Sequence, residues 1–288
     1  MRLDDFDPDS IDVEDQGRRG SFPGGRGGQV GCGTLLIALI GALVFGIDPA
    51  QMIGGLEQAQ LPTREASATD GNSVNEACTA DANRRQSCNA LYSLNNTWEP
   101  LFAAARIPFK QPGLRFYSQA GNSGCGAAQS AMGPFYCPAD GRIYLDTDFF
   151  RLMDVEIGAT GQFARDYVIA HEYGHHIQKL LGMSDQVRSL QAQNPRRANE
   201  LSVRLELQAD CYAGVWAAKN RERLEPGDME SGLNAAHQIG DDTLMRNAGR
   251  RASPEAFTHG TSAQRVRWLR RGMETGNEDS CDTFADLR

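Results

Sequence analysis

The residues best suited to chemistry are His171-Glu172-Tyr173-Gly174-His175, inside a stretch whose spacing predicts one long helix over residues 163–181. Two histidines four positions apart lie on one helical face, a turn from each other, so both imidazoles can reach one cation. Glu172 stands one step round the helix, where its carboxylate can take a proton from water at that cation without ligating it. A catalytic zinc site takes three protein ligands and keeps a fourth position open. Glu206, in Glu206-Leu207-Gln208-Ala209-Asp210, is the expected third ligand. Glu206 and Asp210 are four apart and share a helical face. One carboxylate can then bind the metal while the other accepts a hydrogen bond from the far nitrogen of a ligating histidine. Three of the five histidines fall within residues 171–176. His176 projects from another side of the helix and reads as structural.

The expected cofactor is Zn2+, and the expected reaction is hydrolysis of a peptide bond. Zinc lowers the pKa of water from about 15.7 towards about 7, and Glu172 takes the proton and returns it to the leaving amine. His259, in Thr258-His259-Gly260, is the candidate donor to the developing oxyanion, with a role as fourth zinc ligand left open. Arg265 is expected to pair with Asp210 or Glu206. The segment Arg142–Asp146 reads as an exposed strand edge for an extended peptide. The competing function is a non-catalytic exported zinc-binding scaffold. Glu172 argues against it, because a purely structural site needs no carboxylate between the histidines. A cysteine or serine hydrolase is excluded for want of a nucleophile paired with a histidine.

Several elements must position these groups. Tyr167, Ala170, Gly174, Ile177 and Leu181 recur at four and three residues, the stripe of a helix buried on one face. Further helices are expected over residues 81–105, 198–223, 226–239 and 262–273. Short strands are expected at residues 114–117, Phe135–Cys137 and Arg142–Asp146, between Gly and Pro. The fold class is α+β, a mainly helical zincin-like domain with a small β-sheet over residues 76–288.

Ahead of it, residues 1–29 are polar and Gly-rich and read as a disordered cytoplasmic tail. Residues 30–47 (VGCGTLLIALIGALVFGI) hold no charge over 18 positions and read as a single transmembrane helix. Arg18, Arg19 and Arg26 precede it and only Arg64 follows closely, which places the N-terminus in the cytoplasm and the domain outside it. Residues 48–75 read as a flexible linker. Six cysteines follow the apolar run, an even number suited to an oxidising compartment. The simplest pairing is Cys78–Cys88, Cys125–Cys137 and Cys211–Cys281, one of fifteen possible connectivities. The formal net charge of −8 excludes a general nucleic-acid binder.

HEYGHHIQ at residues 171–178 with LELQADCYAGVWA at 205–217 resembles the neutral zinc metallopeptidase family, which is gluzincin-like in joining H-E-x-x-H to a downstream E-x-x-x-D. GPFYCPADGRIYLD at 133–146, EPGDMESGLNAA at 225–236, FTHGTSAQRVRWL at 257–269 and Cys281-Asp282-Thr283-Phe284 extend the resemblance over nearly the whole chain. It implies a zinc hydrolase domain anchored in the cell membrane. His237 departs from the pattern, standing where a small residue is expected.

Overall fold

The computed structural model describes residues 1–17 and 71–287. Its elements run β1 (Val13–Asp15), α1 (Gly71–Thr79), α2 (Ala82–Ala105), β2 (Gly113–Tyr117), β3 (Ala120–Ser123), β4 (Gly126–Gln129), β5 (Phe135–Cys137) and β6 (Arg142–Asp146). There follow α3 (Phe149–Leu152), α4 (Gln162–Leu180), α5 (Met183–Gln193), α6 (Ala198–Lys219), α7 (Asp228–Gln238), α8 (Asp241–Asn247) and α9 (Ser262–Thr275). Mainly helical with a small sheet, the domain is α+β.

Local chemistry sets the boundaries. Asp81 caps α2 by accepting the Arg84 N–H at 2.9 Å, and Arg106 ends it in the left-handed region, two residues before Pro108. Thr261 opens α9 with a capping box completed by Gln264. The sheet order is β1-β2-β6-β5, with β1, β2 and β6 parallel and β5 antiparallel to β6. The strand Arg142–Asp146 is therefore interior, paired on both sides, and is not the exposed edge expected of it. Its near-complete burial agrees, since only its first residue is partly open. The edge on that side is β5.

The helices meet through small residues. A Cβ on Gly174 of α4 would lie 2.9 Å from the Ala209 Cα of α6, so only glycine lets the two backbones approach this closely. A Cβ on Gly214 of α6 would lie 2.2 Å from the Leu269 carbonyl of α9. Trp216, Phe163 and Leu91 fill the core around these crossings. Three disulfides clamp the domain: Cys78–Cys88 joins α1 to α2, Cys125–Cys137 ties the β3–β4 hairpin to β5, and Cys211–Cys281 fastens the chain beyond α9 to α6.

The N-terminal reading needs correction. Residues 1–17 are ordered against the domain, with Met1, Ile11 and Val13 buried and β1 added to the sheet beside β2. The segment has too few apolar residues to signal a fold by itself, and its partner residues lie more than sixty positions away. Residues 71–75, assigned to the linker, open α1. The span expected at residues 30–47 lies outside the described residues. Among the described residues no helix is long and apolar enough to cross a membrane.

Candidate metal centre

The close approach at Gly174 sets α4 against α6 so that His171, His175 and Glu206 face one point. Each offers one ligand atom, and these atoms lie within 4.8 Å of one another. The Glu206 carboxylate lies between the imidazoles, with Oε2 at 3.1 Å from His171 Nε2 and Oε1 at 3.4 Å from His175 Nε2. Both rings are held from behind at Nδ1. His171 Nδ1 donates to Asp210 Oδ1 at 2.9 Å, and His175 Nδ1 donates to Gln178 Oε1 at 2.9 Å. With both Nδ1 atoms engaged as donors, each Nε2 keeps its lone pair for a cation. Gln178 is fixed in turn, donating to the Leu205 carbonyl and to Gln208, which donates to the Cys281 carbonyl.

Asp210 is fully buried and central to this support. Its Oδ1 also accepts from the Tyr167 hydroxyl at 2.6 Å and from Arg265 Nη2 at 2.9 Å, while Oδ2 accepts from Arg265 Nε at 2.9 Å. Arg265 thus pairs with Asp210, the first of the two partners expected for it. Burial opposes the Asp210 charge, but Arg265 and His171 outweigh it and bring the carboxyl down to about 2. Burial likewise disfavours a charged His171, yet Asp210 and Glu206 pull the ring up to about 10. The pocket therefore demands positive charge where the two Nε2 atoms meet. Two imidazoles with free Nε2 and one carboxylate, without sulfur, form the donor set that suits a catalytic zinc ion.

Glu172 is buried beside the ligand group. Burial raises its pKa, partly offset by His171, His175 and the Tyr136 main chain of β5. The outer edge of β5 therefore runs next to Glu172. His176 is structural in its contacts, donating from Nε2 to the Lys110 carbonyl at 2.6 Å and accepting the Tyr136 hydroxyl at Nδ1, 3.0 Å. Burial brings its pKa down to about 4. His237 stands exposed on α7, a surface position that tolerates its size.

His259 lies outside the three-residue ligand group but close enough to Glu206 for their charges to attract. Burial opposes its protonation, whereas Glu206 and Asp241 raise its pKa. Asp241, which sequence reasoning missed, builds this corner. Its Oδ2 accepts the main-chain N–H groups of Thr258, His259 and Gly260 at 2.9, 2.8 and 3.0 Å. Its Oδ1 lies 3.3 Å from His259 Nδ1, which leaves Nε2 as the ring's free end. As the first residue of α8, Asp241 looks in sequence like any acid favouring a helix N-terminus. Only the turn that arrives seventeen residues later shows its other purpose. Gln208 was missed because it serves the site through Gln178, thirty residues away, while Tyr167 and Gln178, each about a turn from a ligating histidine on α4, passed as part of the helix pattern.

The sequence profile of the family described as "Putative neutral zinc metallopeptidase" matches residues 6–284. The chain belongs to this family. Among the proteins it is similar to, an uncharacterized protein of Escherichia coli (strain K12), YpfJ, is 45% identical over 267 residues, covering 91% of this chain and 88% of the relative. An uncharacterized protein of Mycobacterium tuberculosis (strain ATCC 25618 / H37Rv) is 40% identical over 265 residues, covering 85% of this chain and 86% of the relative. No solved structure matches the chain. The match begins at residue 6, so the family pattern includes β1 as well as the metal centre.

Proposed function

We propose that this member of the family is a zinc-dependent endopeptidase acting in an oxidising compartment, with His171, His175 and Glu206 as metal ligands. The observation that carries the reading is the convergence of two Nδ1-anchored imidazoles and one carboxylate with Glu172 buried alongside. When bound, zinc supplies Lewis acidity that makes water a nucleophile near neutral pH. Glu172 takes the proton as that water attacks a peptide carbonyl, and its raised pKa suits it to hold the proton until the leaving amine accepts it. Asp210 and Gln178 keep the two rings in the ligating tautomer. Asp241 holds His259 with Nε2 free to donate to the oxyanion of the tetrahedral species. The outer edge of β5 receives the substrate as an added strand, because β5 ends the sheet and its Tyr136 lies near Glu172. Three cross-links within the domain support the compartment. A scaffold with structural zinc would call for a fourth protein ligand, and the group among the described residues has three.

The test is Glu172→Gln in the full chain, assayed on a peptide library with and without a chelator. The wild type should carry about one zinc ion per chain and cleave peptides only with metal present. The variant should keep its zinc and lose at least about 100-fold in turnover. Wild-type turnover in Glu172→Gln removes Glu172 as base. A metal-loaded wild type that cleaves no peptide removes the peptidase reading altogether.

A further inference from the structure

The first seventeen residues meet the catalytic domain over a wide front. In β1, Val13, Glu14 and Asp15 pair with Leu114, Arg115 and Phe116 of β2. The ladder is extended by Leu114 N–H to the Asp12 carbonyl at 2.8 Å and Gln16 N–H to the Phe116 carbonyl at 2.9 Å. Gln16 also exchanges two hydrogen bonds with the Asn122 main chain of β3, both at 2.9 Å. Upstream, the Phe6 N–H donates to Asn89 of α2, and the Arg2 N–H donates to the Arg223 carbonyl just past α6.

Two features show a built joint. Val13 is completely buried, so the sheet edge at β2 has an apolar seat for it. Arg115 is buried too, with its guanidinium at 2.9 Å from Asp12 and 3.1 Å from Glu14. A buried guanidinium without carboxylates would be a heavy burden on the fold, and the two that neutralise it both come from this segment. Arg84 of α2 adds a third ion pair, to Asp15 at 2.9 Å.

We infer that residues 1–17 lie on the same side of the membrane as the catalytic domain, docked as a strand of its sheet. Contacts of about 3 Å cannot be made across a hydrocarbon core of about 30 Å. This holds equally if β1 docks on a neighbouring copy, since the contact is the same. Arg18, Arg19 and Arg26, which by themselves favour a cytoplasmic N-terminus, weigh less in this reading than the docked strand.

The experiment uses the full chain with Cys32→Ser, so that the remaining six cysteines are those of the disulfides. Asp9→Cys and Arg188→Cys, both at exposed positions, are labelled singly with a membrane-impermeant maleimide in sealed vesicles of each orientation. Both should react from one and the same face. Labelling of Asp9→Cys from the face opposite Arg188→Cys overturns the inference. A second measurement tests the docking itself. Val13→Asp should speed cleavage after Glu14 by a glutamyl endopeptidase at least about tenfold, because a released strand is cut far faster than a paired one. Wild-type protein cut as fast as Val13→Asp would also overturn it.

Discussion

Replacing Asp210 by asparagine tests the support of the metal centre with almost no change of shape. The amide oxygen can keep the Tyr167 and His171 bonds, but the amide nitrogen then faces Arg265, itself a donor. Arg265 is 3% exposed, so its charge is stranded without solvent. Removing one partner of a buried ion pair costs about 3–5 kcal/mol, and the retained bonds put the expectation near about 3. For a domain of this size that is a fall of roughly 6–12 °C in Tm, measured on chelator-treated protein so that metal does not mask it. Zinc affinity, read by competition with a chromophoric chelator, should drop about 10–100-fold as His171 loses its anchor. The double variant Asp210→Asn/Arg265→Met removes the stranded cation. It should recover part of the stability and none of the affinity. A single variant that melts within about 2 °C of wild type and binds zinc within about twofold would refute this reasoning.

Two further outcomes concern the elements around the centre. His259→Ala should lower kcat about 100-fold with little change in KM, and Asp241→Asn should lower it about tenfold by loosening the same ring. An unchanged kcat in His259→Ala, measured on a cleavable peptide, removes both roles. His176 predicts a pH dependence of stability. Its folded pKa of about 4 lies below the unfolded value of about 6.5, so below that value the unfolded chain binds the proton first. Stability should fall by about 1.4 kcal/mol per pH unit from about pH 6.5 to about pH 4. Urea titrations of wild type against His176→Gln isolate the slope, and identical slopes would contradict it.

The grouping of His171, His175, Glu206 and Asp210 was legible because its members repeat at helical spacing. His171 and His175, then Glu206 and Asp210, each form an i,i+4 pair on a strongly patterned helix, and periodicity carries both pairs to their faces. The boundaries of α4, α6 and α9 follow the same pattern to within a few residues. The short strands Phe135–Cys137 and Arg142–Asp146 were legible as strands, but not in their order. Register and edge depend on pairing with β2 and on the arrival of β1, neither of which leaves a local trace. Asp241 was hidden for a related reason: its purpose is set by a turn brought up by tertiary packing. The N-terminal segment was misread because composition measures whether a segment can fold alone, and β1 is held by a buried arginine a hundred residues away.

The bond between Cys211 and Cys281 has a consequence in time. It joins the helix bearing Glu206 and Asp210 to the stretch beyond α9, and Gln208 reaches the Cys281 carbonyl at the same joint. Arg265, which neutralises Asp210, arrives only shortly before that stretch. A nascent chain that has delivered both histidines and Glu206 still lacks the guanidinium, the cross-link and the carbonyl that steady them. Assembly of the centre therefore waits until the chain through Cys281 has been made and has met an oxidant.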